Sequence, residues 1–515
     1  MLSPVAYCVA PVFEDVEQAR RPHKRLPFDF LGALIFAALG FLVMGYHPGL
    51  EDDGIYLTAV KADLNPALFP FNANFFRLQL QASAFDPFMA GFIRCTRIPV
   101  AWAEFIWQCA ALVLILWAAK KIANRLFDLE HARWAGVAML AAMFTLPVTG
   151  TALYLVDQHL HPRTLATALI LLAVWRILDH KLWQAPLLLL PAFLLHPLMA
   201  AMGISFCFFL GFFPGLGQDR LGSHPVRSWQ TSAAVFIPLG WVFEPGNPDW
   251  KRAVDTRAYE HLFQWTWYEW LGALAPLVLF WLLWRFALSR GRTTLARFAF
   301  AILLYGLFQQ ILAIVALWPA ALVRLTPLQP MRYLHLVYFF LVLIAGCLLG
   351  EFVLKRSIWR WAAFLLIANG SMLAGQRVEF AASQHLEMPW RQPANPWLQA
   401  FAWVRMNTPE NAYFALDPQY LASPGEDYHS FRALAERSSL ADVVKDASVV
   451  TMVPELGPEW VRQTTATQGW ANFGLADFER LKQEFGVGWV LVSSPAPAGL
   501  ACNWHNAELA VCQIP

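Results

Sequence analysis

The chain is divided into apolar runs about as long as a bilayer is thick, and its charges lie almost entirely between them. Runs of about 20 apolar residues cross hydrocarbon as helices, because a helix satisfies its backbone groups internally. Eleven spans can be read: 30–46, 99–119, 134–153, 164–179, 182–195, 198–213, 230–243, 269–287, 298–318, 333–350 and 358–374. Only 14% of the residues are charged, against roughly 25% in soluble domains. A net charge of +2 gives no reason to expect a nucleic-acid partner, which calls for concentrated positive charge.

The stretch 182–213 reads either as one kinked helix or as two that meet at His196-Pro197. Two helices place Lys120/Lys121/Arg125/Arg133, Arg176/Lys181, Arg220/Arg227, Arg285/Arg290/Arg292/Arg297 and Lys355/Arg356/Arg360 on one side. That bias marks the cytoplasm. The expected layout is therefore a cytoplasmic segment 1–29, a membrane domain 30–374 with an outer loop 47–98, and an extracytoplasmic tail 375–515. Arg20, Arg21, Lys24 and Arg25 precede the first span, and no small-residue cleavage site follows it. This reads as an uncleaved first helix rather than a signal peptide.

In the tail, charged and amide residues become frequent. Trp397 to Met406 reads as a helix stopped by Asn407-Thr408-Pro409, Ala412 to Leu416 as a strand and Leu475 to Phe485 as a helix ended by Gly486. Gly488 to Ser493 and Glu508 to Ile514 read as strands, so the tail is expected to be a small α/β domain. Cys502 and Cys512 flank the turn-like Asn503-Trp504-His505-Asn506. A hairpin there would bring them within the roughly 4.4–6.8 Å Cα separation that a disulfide requires, and an extracytoplasmic location would preserve the bond. The alternative is two buried thiols.

Glu51-Asp52-Asp53 follows the first span almost directly. Carboxylates are costly in hydrocarbon, so they sit where water or a substrate can reach them. With this topology Arg332 and the run His159-Leu160-His161-Pro162-Arg163 lie on the same face. Two histidines without a third ligand are a weak metal motif. Trp265-Thr266-Trp267-Tyr268 reads as an interfacial aromatic belt or as a stacking platform. Glu104 reads as a paired or catalytic acid at the outer end of the second span.

The acidic cluster in the first outer loop, the many helices and the α/β tail together resemble the GT-C superfamily of polyprenyl-phosphate-dependent membrane glycosyltransferases. Shorter matches are Trp403-Val404-Arg405-Met406-Asn407-Thr408-Pro409-Glu410-Asn411-Ala412 and Phe431-Arg432 followed by Glu436-Arg437-Ser438. The resemblance implies an enzyme of a bacterial inner (plasma) membrane that moves a sugar from a polyprenyl-phosphate donor to an acceptor at the extracytoplasmic surface. Asp52 or Asp53 would be the general base, with Glu51 positioning it or helping to hold a divalent cation such as Mg or Mn. Arg332, and also Arg163, His161 and His159, would meet the phosphate, since an arginine fork matches phosphate oxygens. Two other classes are a transporter or flippase and a catalytically silent binder of lipid-linked glycans. Coupled transporters carry acids or histidines near the midplane, whereas the charges here cluster at span ends.

Overall fold

A computed structural model describes residues 26–212 and 246–515. The N-terminal basic cluster, Cys8, Arg220, Arg227 and the span 230–243 lie outside the described residues. Among the described residues, four helical stretches are long and apolar enough to cross a membrane: Val100–Leu126, Trp267–Ser289, Thr293–Leu317 and Ala321–Leu354. Phe28–Met44, Leu182–Leu195 and Pro197–Phe212 are shorter apolar helices. On Trp267–Ser289 the exposed Leu271, Leu274, Val278 and Leu282 recur every three or four residues, while Ala273, Leu277 and Phe280 are buried. An apolar stripe turned outward beside an apolar stripe turned inward suits a helix bathed in lipid. The molecule is an integral membrane protein.

Not every expected span is a full-length helix. The run 134–153 holds a helix only over Glu130–Ala142. After Leu146-Pro147 the chain forms a hairpin of β1 (Pro147–Val148) and β2 (Leu153–Tyr154). Pro147 and Gly150 break the helix there. At 182–213 the chain forms two helices, Ala185–Leu195 and Pro197–Phe212. His196, before the proline, takes φ −150° and ψ 88°, because a following proline disfavours the helical region.

Small residues let helices meet closely. A Cβ on Gly136 would lie 2.4 Å from the Cys347 sulfur, and one on Gly346 would lie 2.6 Å from Met139 Cβ. These two glycines bring Glu130–Ala142 and Leu334–Leu349 into backbone contact, as small residues do in membranes.

The tail carries a mixed sheet of β3 (Tyr413–Ala415), β4 (Ser438–Ser439), β5 (Trp489–Ser493), β6 (Ala501–His505) and β7 (Leu509–Gln513). Its order is β4-β3-β5-β7-β6, with β4, β3 and β5 parallel and the last two antiparallel. The helix Pro396–Asn407 covers one face through Trp397, Phe401 and Val404, and Leu475–Phe485 covers the other through Phe478 and Leu481. Cys502 and Cys512 are cross-strand partners on β6 and β7 and are disulfide-bonded. Arg437 donates to the Arg405 and Thr408 carbonyls, which satisfies the C-terminal end of Pro396–Asn407. Arg432 makes a buried bidentate pair with Asp446 (2.6 and 2.7 Å).

The outer loop forms three short helices, Tyr56–Leu64, Asn74–Leu80 and Phe85–Thr96, and the tail is fastened to it. Asn72 Nδ2 donates to the Ser439 carbonyl (2.8 Å) and to the Tyr413 hydroxyl (3.0 Å), and Phe71 stacks on Tyr413 at 4.5 Å. Lys61 Nζ donates to the Ala433 carbonyl and to Glu436 (2.7 Å each). This seam positions the site described next.

Candidate active site at the seam

The acidic triplet forms a short 3-10 turn, Glu51–Gly54. Glu51 is left-handed at φ 46°, and so is Tyr428 at φ 62° across the seam. The Glu51 amide donates to the Tyr428 carbonyl at 2.8 Å. Two non-glycine residues in that region cost roughly 1–3 kcal/mol each, and they hold the turn so that consecutive acids face different ways.

Asp52 faces a cavity of about 410 Å³. Its Oδ1 accepts from Lys445 Nζ at 3.0 Å, and the same ammonium donates to Glu51 Oε2 at 3.1 Å. Its Oδ2 lies 3.3 Å from His161 Nε2. His161 caps the helix Pro162–Leu178, and its Nδ1 accepts from the Arg163 amide at 2.9 Å. That bond fixes the tautomer, so Nε2 carries the proton and donates to Asp52. Burial and the nearby Arg163 lower the His161 pKa to about 4, against the pull of Asp52 and Asp157. The ring is therefore neutral at pH 7. Burial tends to raise the Asp52 carboxyl, but Lys445 and then His161 outweigh it and hold the group well below the usual carboxylate range.

Asp53 turns the other way. It is 2% exposed, does not line the cavity, and accepts from the Gly49 amide at 2.8 Å. Burial, helped by the Glu104 carboxylate and opposed by His159, pushes its pKa well above the usual range. Asp53 is thus a buried acid biased toward its neutral form, and of the two aspartates only Asp52 lines the cavity. Glu104 is buried beside it rather than in the cavity.

Arg332 lines the same cavity, on the short turn Pro330–Tyr333. Its Nε is buried with no hydrogen-bond partner, and among the described residues no carboxylate lies within ion-pair distance of it. A half-buried guanidinium whose Nε is shut off from water and unpaired is suited to an incoming anion. Arg163, by contrast, does not line the cavity. Its Nε and terminal NH2 hold Asp157 at 3.2 and 2.5 Å, because a buried guanidinium at a helix start takes the carboxylate six residues earlier. His159 is buried beneath the site with neither ring nitrogen bonded. His161 and Arg332 thus join Asp52 and Glu51 at the cavity, while Arg163, His159 and Asp53 lie behind its wall. Arg324 sits over the Trp250 ring at 4.9 Å and is not in the lining. Trp267 and Tyr268 are largely exposed and Trp265 is buried beside Gly150, the arrangement of an interfacial belt.

The sequence alone did not single out Lys445, Arg257 or Tyr56. All three line the cavity. Lys445 opens the helix Lys445–Met452, whose turn is organised by Asp442 Oδ1 accepting from the Val444 and Lys445 amides (2.8 and 2.5 Å). The lysine and the acids it holds are nearly 400 residues apart, and nothing local links them. The carboxylates facing the cavity are already matched by this ammonium, so the donor set as it stands does not fit a divalent ion. The rest of the lining mixes the apolar Ile55, Leu80, Leu195, Leu198 and Met452 with the polar Gln79, Ser83, Thr256, Ser448 and Thr451.

No protein-family model matches the chain, and none of the curated proteins is similar to it. Among solved structures the chain is similar to the oligosaccharyltransferase of Archaeoglobus fulgidus in its apo form, at 13% identity and a TM-score of 0.41, over 92% of this chain and 70% of that one. It is also similar to the same enzyme in complex with Zn and sulfate, at 12% identity and a TM-score of 0.40, over 90% and 68%.

Proposed function

We propose that the protein is a membrane glycosyltransferase that takes a sugar from a polyprenyl-phosphate donor at the extracytoplasmic face of a bacterial inner membrane. The observation that carries this reading is the pairing, in one cavity, of an ionised carboxylate with a half-buried arginine that lacks an acid partner, beside apolar lining residues. The apolar residues suit a lipid chain, Arg332 suits the phosphate, and Asp52 suits the acceptor.

In the step proposed, an acceptor hydroxyl oxygen forms a bond to the anomeric carbon. The bond from that carbon to the phosphate oxygen breaks, and its electron pair leaves on the phosphate, where Arg332 stabilises it. The hydroxyl proton passes to Asp52. Because Lys445 keeps Asp52 strongly acidic, this carboxylate orients the hydroxyl first and takes the proton late, once the new bond has made the oxygen acidic. No part of the step is assigned to a metal ion.

The double clamp on Asp52 from Lys445 and His161 favours a second reading, a protein that binds lipid-linked glycans without turnover. One experiment separates the two. The purified chain, in lipid nanodiscs, is incubated with a polyprenyl-phosphate-linked sugar, and both binding and loss of the sugar are followed by mass spectrometry. Transfer requires that Arg332→Ala lose binding and that Asp52→Asn keep binding but lose turnover. Binding with no turnover in the unaltered protein would establish the silent reading, and no binding at all would end both.

A further inference from the structure

A second cluster lies on the same seam, away from the cavity. It joins His47, just after the first helix, Glu387, beyond the helix Ile358–Glu379, and His429 of the tail. One donor atom from each lies within 4.8 Å of the other two. His429 Nε2 is 2.9 Å and His47 Nδ1 is 3.5 Å from the same oxygen, Glu387 Oε2. Both histidines are 0% exposed.

Hydrogen bonding decides what these atoms offer. His429 Nδ1 lies 3.0 Å from the Glu426 carbonyl, an acceptor only, so Nδ1 carries a proton and donates there. Its Nε2 faces Glu387 Oε2 at 2.9 Å, where the ring donates a second proton or, once that proton leaves, offers its lone pair to a metal. His47 is fully buried and neither of its ring nitrogens has a hydrogen-bond partner. Glu387 Oε1 is likewise buried and unpartnered. A cation bound among the three would give the unpartnered His47 nitrogen a partner as well as joining Glu387 and His429.

The separations suit a metal. Ligands at about 2.0–2.1 Å from a tetrahedral zinc stand roughly 3.3 Å apart, and 2.9 and 3.5 Å bracket that spacing. A backbone carbonyl that holds Nδ1–H and presents Nε2 is also the usual outer support of a metal-bound histidine.

The three ligands are held in place by bonds that do not involve their side chains. The Glu387 amide donates to the Tyr46 carbonyl at 2.9 Å, and Leu50 bridges His429. The His47 ring stacks on Phe380 at 4.3 Å.

We infer that His47, Glu387 and His429 form a buried transition-metal site, selective for zinc-like ions, that staples the tail to both ends of the membrane domain. Imidazole and carboxylate ligands without thiolate suit zinc and its first-row neighbours. The burial of the site marks the metal as structural. It leaves one coordination position to a fourth donor, next to Glu426, whose carboxylate oxygens are buried without partners.

This inference does not depend on the transferase reading. The full chain, purified with a tag free of histidine, is analysed for metal by mass spectrometry and then depleted with a chelator. One zinc per chain is expected. Depletion should lower the thermal midpoint, added ZnCl2 should restore it, and CoCl2 should give the visible ligand-field band of tetrahedral cobalt. His47→Gln, Glu387→Gln and His429→Gln should each lose the metal and the band while keeping the helical circular dichroism. If a variant fails to fold, the cobalt titration of the unaltered protein still decides. Absence of both zinc and the cobalt band in that protein, or full metal retained in the three variants, would overturn the inference.

Discussion

Glu51 and Asp52 find a counter-charge within the chain, at Lys445, whereas His47, Glu387 and His429 gather three potential ligand atoms with the His47 ring left unpartnered. Both groups lie where the tail meets the membrane domain, and both are assembled from segments far apart in sequence. They differ in access. Asp52 is 27% exposed at a cavity wall, and the two histidines of the other group are fully enclosed. A site that must admit a substrate benefits from a fixed ammonium that no chelator can remove. A site that only fastens can rely on an ion that enters during folding, since metal binding then contributes directly to folding free energy.

The comparison breaks first at Asp52. Asp52→Asn should lower sugar transfer by about 10²–10⁴-fold, the usual range for a lost proton acceptor. Asp53→Asn should leave transfer nearly unchanged, because Asp53 does not line the cavity and an amide oxygen can still accept from Gly49. Equal losses in both variants, measured by product formation per mole of folded protein, would erase the distinction between them. Arg332→Ala comes next, with an expected loss on the order of 10²–10³-fold for one removed charge-stabilising group. That loss should be accompanied by weaker binding of the donor.

Lys445→Met sharpens the contrast by converting the self-neutralised site into one that lacks its cation. The sign follows from the charges. Lys445 favours the ionised form of Asp52, so its removal raises the Asp52 pKa, and the acid limb of a rate-against-pH profile should move to higher pH. Added Mn²⁺ should move that limb back in the variant and do little in the unaltered protein. A pH profile identical in the two proteins would show that the ammonium does not tune Asp52.

The smallest effect is expected at the sheet edge. The disulfide closes a sequence separation of only ten residues, so its reduction should cost the tail at most about 2–3 kcal/mol. Transfer activity should be unaffected, since β6 is remote from the cavity lining. Denaturation with and without reductant measures the first, and an activity assay the second.

How much of this was legible in the sequence follows from how local each signal is. The break at His196-Pro197, the helix ending at Asn407-Thr408-Pro409 and the strand Trp489–Ser493 are set by neighbouring residues, and the chain displays them. The acidic turn and Arg332 are also visible, because charge next to apolar runs is conspicuous. The orientation of Asp52 as against Asp53 was not legible, since it depends on a left-handed residue at 51 held by Tyr428. Arg163 looks like a phosphate ligand until Asp157 is seen to hold it. The run 134–153 was overextended because hydropathy continues past Ala142 while Pro147 and Gly150 end the helix. Lys445, His47, Glu387 and His429 give no local signal, since each acquires its role from partners dozens to hundreds of residues away.

The ion pair between Lys445 and the acidic turn also bears on how the protein is made. Glu51 and Asp52 leave the ribosome nearly 400 residues before the lysine that balances them, and His47 well before Glu387 and His429. For most of synthesis the outer loop is therefore a set of uncompensated acids and one solitary histidine, unable to settle into its final turn. Only when the last quarter of the chain has folded back against this loop do the cavity and the His47, Glu387 and His429 cluster close. A nascent chain that stalled before that point would carry every helix of the membrane domain and have neither site, so a cell could tell a finished molecule from an unfinished one by the fit of a single seam.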